Sequence, residues 1–278
     1  MQCKKRPSRA SVEEVRQASA KTHTPVAPPP RTITDIIAIL DQQPKTDSPI
    51  ALRDLADASP PSARVDTLAD FYRERGLAAG RIGRAKQEID DLTKSSEYFL
   101  QTVSPVSRIY FELALAEERG GNFFRHIRYL QKSVKAGWNI GANIRLAIGN
   151  VSIGDLPEAD AALGAALRGI YRGVAPNGTF LFQPIIAEAQ AALLDVTGRH
   201  AEAEALGRKA IALLVGDRDH RQSIWHTQSI WVDEVHAFLA RTLIRQRRLF
   251  EAENEARAAA FGALANSGRY SPHTAWML

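Results

Sequence analysis

From residue 64 onward, apolar residues recur every three or four positions, the spacing that lines one face of a helix. These stretches come in pairs joined by a short polar step. The steps read "GRAKQEIDDLTKS" at Gly83, "GNFFRHIRYLQKS" at Gly121, "GDLPEADAALGAA" at Gly154 and "GRHAEAEALGRKA" at Gly198. A fifth, "RRLFEAENEARAA", begins at Arg247 without the glycine. Each step closes one helical pattern and opens another. The pattern predicts five helix–turn–helix units in series.

Aligning the five steps exposes a second regularity. Seven residues upstream stand Gly76, Ala114, Ala147, Ala191 and Ala240. Twelve residues downstream stand Ser95, Ser133, Ala166, Ala210 and Ala259. All ten are small, although Gly, Ala and Ser together make up only 77 of 278 residues. Where two helices of a hairpin cross closely, a large side chain would hold the backbones apart. Small residues at one position on each helix allow the crossing.

The spacing between steps is 38, 33, 44 and 49 residues, so the array is irregular. The clearest insert is "YRGVAPNGTFLFQP", Tyr171 to Pro184, whose Pro and Asn-Gly predict a break of helix on both sides. Another is "GDRDHRQ", Gly216 to Gln222. Ahead of the repeats, "TITDIIAIL" places Ile33, Ile36, Ile37 and Leu40 on one face. "DSPIALRDLA" offers Ser48 as N-cap and Pro49 as first helical residue. At the other end, "NSGRYSPHTAWML" sets Ser271 as N-cap and Pro272 as first helical residue of a further helix. A repeat array normally closes with a polar capping helix. An exposed new helix carrying Trp276, Met277 and Leu278 predicts the N-terminal portion of a longer protein. The expected layout is therefore a disordered basic tail over 1–31, capping helices over 32–63, the array over 64–265, and the start of a truncated helix over 266–278.

Composition narrows the reading. The 43 alanines and the 7% aromatic content favour closely packed helices over strands. The net charge of +5 invites a nucleic-acid partner, but residues 1–34 alone hold seven basic and two acidic groups, leaving the remainder balanced. A basic tail is not a basic binding face, so no nucleic-acid partner is expected. The single cysteine, Cys3, lies in that tail, which removes an internal disulfide and a cysteine zinc site. No apolar run reaches membrane-spanning length, so no membrane association is expected. Met1 is not followed by the apolar core of a signal peptide, so a cytoplasmic location is expected unless the true start lies upstream.

The frame resembles the tetratricopeptide repeat. In that family the first helix carries large, Leu, small and large residues, a turn glycine follows, and the second helix has small, large and small positions. Here the second unit reads Tyr110, Leu113, Ala114, Glu117, Gly121, His126, Leu130, Ser133, and the third reads Asn143, Leu146, Ala147, Asn150, Gly154, Ala159, Leu163, Ala166. Glu88 and His126 depart from it, standing where a small residue is usual. The resemblance covers roughly residues 64–265 and implies an all-α, right-handed α-solenoid of about five repeats with irregular inserts. The stretches "RTITDIIAILDQQ", "GRIGRAKQEIDDLTK" and "RYSPHTA" further resemble the N-terminal repeat regions of bacterial proteins carrying a C-terminal caspase-like CHAT peptidase domain.

Candidate chemistry is sparse. His220, His226 and His236 lie near Asp219, Asp233 and Glu234. His226 and His236 stand about 80° apart around one helix and three turns apart along it, too far to share an ion. His126 sits at a packing position and reads as a core histidine. No nucleophile elbow, phosphate-binding loop or His–Cys pair occurs in the folded region, so no catalytic residue, cofactor or metal is expected. The two copies of "QSIW" between Gln222 and Trp231 are six residues apart, about 240° around a helix, so they cannot present one face. Ile224, Trp231, Val235 and Phe238 do share one, which makes this run the start of a long first helix whose tryptophans pack on the preceding repeat.

Arg241, Arg245 and Arg248 form a stripe, either a solvated face or an anchor for an acidic peptide. The resemblance aims Arg241 and Arg245 into the concave groove, together with Arg73, Arg108, Phe111, Arg119, Ile144, Glu188 and Asp195. It does not supply the lysine and asparagine with which chaperone-binding members clamp a carboxylate, since Arg73 and Leu77 stand there. The function implied is a non-catalytic scaffold capturing a peptide or partner protein on that face. Two alternatives stand beside it: a substrate-recognition or regulatory arm of a CHAT-type peptidase, and self-association as a homodimer through the exposed C-terminal helix.

Overall fold

The computed structural model describes residues 48–102, 106–137, 140–171, 179–216, 225–269 and 271–277. Among them are twelve α-helices and no strand. They are α1 (Ser48–Asp57), α2 (Val65–Arg81), α3 (Ala85–Phe99), α4 (Ser107–Arg119), α5 (Phe123–Lys135) and α6 (Ile140–Ile153). There follow α7 (Leu156–Tyr171), α8 (Thr179–Val196), α9 (His200–Gly216), α10 (Trp225–Arg245), α11 (Leu249–Ser267) and α12 (Pro272–Met277). Helices α2/α3, α4/α5, α6/α7, α8/α9 and α10/α11 pack as five hairpins. Each hairpin leans on the next, and α6, α8 and α10 also touch directly in turn. The helix expected around Ile33 to Leu40 lies outside the described residues. The second capping helix is α1, which places Ala56 and Leu52 against Ala78 and Ala79 of α2.

The five turns share one backbone geometry. Gly83, Gly121, Gly154 and Gly198 have φ between 77 and 83°, a left-handed conformation that only glycine adopts without penalty. In every turn the following amide donates to the carbonyl five residues back: Arg84 to Ala79, Asn122 to Glu117, Asp155 to Asn150, Arg199 to Leu194 and Arg248 to Leu243, at 2.8–3.0 Å. This bond satisfies a helix-end carbonyl that would otherwise be orphaned. In the fifth turn Arg247 takes the glycine's place at φ 60°, the one non-glycine residue with positive φ among the described residues.

All ten small positions of the aligned frame are buried. In the first two hairpins the crossing carries the same side-chain bond. Ser95 donates to the carbonyl of Ala69 at 2.8 Å, and Ser133 to that of Ser107 at 2.7 Å. Lys94 lies 5.2 Å from the Tyr72 ring centre, and Lys132 lies 5.4 Å from that of Tyr110. Repetition of these contacts shows that the frame is a physical register and not only a pattern of letters.

The two oversized residues are accommodated by glycine. A Cβ at Gly80 would collide with the carboxylate of Glu88, and one at Gly149 would stand 3.0 Å from the His126 ring. Room removed at the second helix is returned at the helix it faces. His126 is fully buried and its Nδ1 donates to the Ala114 carbonyl at 2.8 Å, leaving Nε2 as an acceptor without a partner. It is thus a core histidine, as its position predicts, but satisfied at one nitrogen only.

The largest apolar cluster sits mid-chain, where Ile140, Ile144 and Leu163 meet Ile185 and Ile186, with Trp231 packed on the edge. Trp231 also lies on Ala187, Ala210 and Leu214 of the preceding hairpin. That is the packing expected of the long first helix, while the side chain of Trp225 lies outside the described residues. The insert ends earlier than its composition suggests. Helix α8 begins at Thr179 and runs through Pro184, which has no amide to return to residue 180. Proline near a helix start loses little, because the first amides have no intrahelical partner.

The C-terminal helix α12 is capped by Ser271, whose Oγ accepts the amide of His273 at 3.2 Å. It is not the free end that its sequence suggests. It packs on α10, α11 and α4. His273 and Thr274 are buried, and the Thr274 hydroxyl lies 2.7 Å from the Gly268 carbonyl and 3.1 Å from that of Ala263. Trp276 remains 45% exposed.

Candidate partner-binding groove

The first helices of the hairpins, α2, α4, α6, α8 and α10, form a row, and the row is bent. Arg145 on α6 reaches over α8 to Glu234 on α10, with Nη2 and Oε2 2.6 Å apart. Helix α12 touches both α4 and α10, three hairpins apart. Only a concave row brings such distant elements together. Its first section is tied by Arg73, whose Nε and Nη2 donate to Glu112 at 2.8 and 2.5 Å, linking α2 to α4. Arg108 adds a bond to the same carboxylate at 3.1 Å.

At the centre of the row sits an ionic cluster. Glu188 is 6% exposed, and its Oε2 has no hydrogen-bond partner. Burial pushes its carboxyl up to about 8, and the neighbouring Glu234 and Glu118 add to the rise against the pull of Arg145 and Arg241. Burial works against the charge of Arg145 too, but Glu234, Glu118 and Glu188 outweigh it and hold that guanidinium above its ordinary value. Arg241 keeps contact with water, yet the protein around the cleft lowers its pKa, with Glu188 and Glu234 opposing. The cluster therefore holds three carboxyl groups and two guanidiniums from four successive first helices.

No family model matches the chain, and no curated protein matches it. Among solved structures it is similar to MamA, residues 41 to end, from Desulfovibrio magneticus RS-1. That likeness has 14% sequence identity, covers 74% of this chain and 98% of that one, and has a TM-score of 0.43.

The residues expected on the groove divide into three groups. Arg73, Arg108 and Arg241 stand on the row, and Phe111 packs half-buried there on Ala114, Leu130 and Ala142. Glu188 stands there too, but buried at the centre of the ionic cluster. Three others are engaged elsewhere. Arg119 turns to α3 and pairs with Glu88 at 2.6 Å. Arg245 pairs with Asp195, whose buried carboxylate also accepts from His200 Nδ1 at 2.7 Å. Ile144 is a correction: it has no exposed surface and belongs to the mid-chain core, because its helix is enclosed by α7 and α8.

The arginine stripe dissolves in the same way. Arg248 is bound to Glu204 and Glu251, which leaves Arg241 as the stripe's contribution to the row. His236 is likewise committed, to Glu255 at 2.6 Å. The His226 side chain and His220 lie outside the described residues. The sequence did not point to Glu118 or Arg145 as groove residues, and it presented Glu234 only beside the candidate metal-ligand histidines. Glu234 was within reach, since it stands seven residues before Arg241 and so shares its stripe. Glu118 stands seven residues after Phe111, on a face already assigned to the groove. Arg145 carried no such signal.

Proposed function

We propose that the chain is a non-catalytic protein-interaction scaffold, a right-handed solenoid of tetratricopeptide type that captures a peptide or partner protein on its concave row of first helices. The observation that carries this reading is the bent row with its charged, partly wetted centre. Preformed helices limit the ordering cost of association, and a concave surface buries more of an extended ligand than a flat one. Exposed Arg108 and Arg241 and half-buried Phe111 supply polar and apolar contacts along one path. A helical-repeat backbone does not by itself fix a partner, so the reading rests on the row's own side chains.

The test is a selection from a displayed random dodecapeptide library against the full chain, followed by hydrogen exchange with the selected peptides. Protection concentrated in α4, α6, α8 and α10 is expected, with Arg108→Glu weakening binding tenfold or more. Protection confined to α3, α5, α7 and α9 would refute the assignment.

A further inference from the structure

Three carboxyl groups and two guanidiniums face one another at the centre of the row, and their pairing is incomplete. Arg145 is taken by Glu234. Glu118 faces Arg145 electrostatically and lies 3.8 Å from His126 Nδ1, but that nitrogen is bound to the Ala114 carbonyl. Glu188 is more than nine-tenths buried, and its Oε2 meets no donor. A buried carboxyl without a partner is destabilising unless a proton or a cation answers it. The arginines expected to make this face basic are mostly spent: Arg245 on Asp195, Arg248 on Glu204 and Glu251, Arg119 on Glu88. The centre of the row thus has an unmet demand for positive charge, the reverse of what the arginine stripe implies.

We infer that the space bounded by Glu118, Glu188 and Glu234 is the anchor pocket of the groove and takes the cationic side chain of a lysine or arginine in the partner peptide. The inference rests on the groove reading above and narrows it to a ligand class. In the free protein a proton on Glu188 stands in for that cation, consistent with a carboxyl pushed up to about 8. An incoming ammonium or guanidinium stabilises the ionised carboxylate and displaces the proton. Arg145 stays with Glu234 and closes the floor. Arg241, facing Glu188 on α8 and Glu234 on its own helix, is the internal competitor at the rim. The groups bearing on Glu188 are Glu118 from α4, Arg145 from α6, and Glu234 and Arg241 from α10, so the site has a defined charge on every side.

The experiment uses bead-bound random heptapeptides whose central residue is fixed as lysine, arginine, norleucine, glutamine or glutamate, with retention of the labelled full-length chain as readout. Lysine and arginine pools are expected to retain at least fivefold more protein than the norleucine pool. Their advantage should grow between pH 6.5 and 8.5 as Glu188 gives up its proton, while norleucine retention stays level. Glu188→Gln and Glu118→Gln should each remove most of the advantage. Glu188→Gln keeps shape and hydrogen-bonding capacity, and if it melts early, Glu118→Gln, at a position less deeply buried, carries the same test. Equal retention of the lysine and norleucine pools, with peptide still protecting α4 to α10, would overturn the cation pocket and leave the groove standing. Preference for the glutamate pool would make Arg241 the anchor and overturn it too. No retention of any pool above bare beads would sink both the pocket and the groove.

Discussion

The first two hairpins and the middle of the chain both bury a glutamate, and they treat it in opposite ways. Glu88 is 2% exposed, but Gly80 leaves a recess for its side chain and Arg119 binds its Oε1 at 2.6 Å. Burial still raises its pKa, and Arg119 opposes the rise. The site is closed: the charge is housed, paired and part of the packing between α2, α3 and α4. Glu188 is nearly as withdrawn from water, yet its Oε2 has no partner. A polar group answered within the fold is structural. One left unanswered on a concave surface marks where something else belongs.

The surroundings differ accordingly. Around Glu88 the interior is polar, with Asp91 bound by Arg75 at 2.8 and 2.7 Å and Ser95 bound to a backbone carbonyl. Around Glu188 the helices are held by the large apolar cluster of isoleucine, leucine and alanine. The helices around Glu188 are therefore held together chiefly by hydrophobic burial.

Four changes would break or sharpen this contrast. The largest expected effect is Ile144→Ala, which opens a cavity in the mid-chain cluster and should lower unfolding free energy by about 3–4 kcal/mol in denaturant titration. Next come the two glutamates. With Glu188 held neutral up to about pH 8 in the folded chain and ionising near 4.5 when unfolded, the native state binds the extra proton across that window. Stability should therefore fall as pH rises from 4.5 to 8, and Glu188→Gln should flatten the slope. A wild-type curve that stays level over this range would contradict the buried, unpaired state. Arg119→Met strands Glu88 and should cost about 2–3 kcal/mol near pH 7, shrinking toward pH 4 as the carboxyl takes up a proton.

The smallest effect has the opposite sign. Arg247→Gly relieves a left-handed non-glycine residue and should stabilise the last hairpin by about 1 kcal/mol, seen as slower amide exchange in α10 and α11. Unchanged or faster exchange would mean that the Arg247 side chain contributes more than its backbone strain removes.

Much of the architecture was readable in the letters. Ten small residues at two offsets gave the crossings, and four glycines gave the turns, because both are set by steric rules that act within about forty residues of sequence. Arg247 was recognisable as the odd turn, though its φ of 60° was not. The site was readable only in part. Arg145 and Glu234 are 89 residues apart, and their contact depends on the curvature summed over two hairpin junctions. The seat of α12 against α4 depends on that curvature summed over three junctions. No local pattern encodes it. Likewise, Arg245 and Arg119 sit on the predicted face, but buried carboxylates one hairpin away, Asp195 and Glu88, pair with them and withdraw them from it.

The most direct test of the groove is photocrosslinking with a benzophenone amino acid. It would replace Arg108 or Arg241 on the first-helix row, and Phe124 or Phe250, exposed near the starts of second helices α5 and α11, as the comparison. Library-selected peptides should crosslink at positions 108 and 241 and leave 124 and 250 unlabelled. Crosslinks at 124 and 250 with none at 108 and 241 would place binding on the outer helices and contradict a concave partner groove.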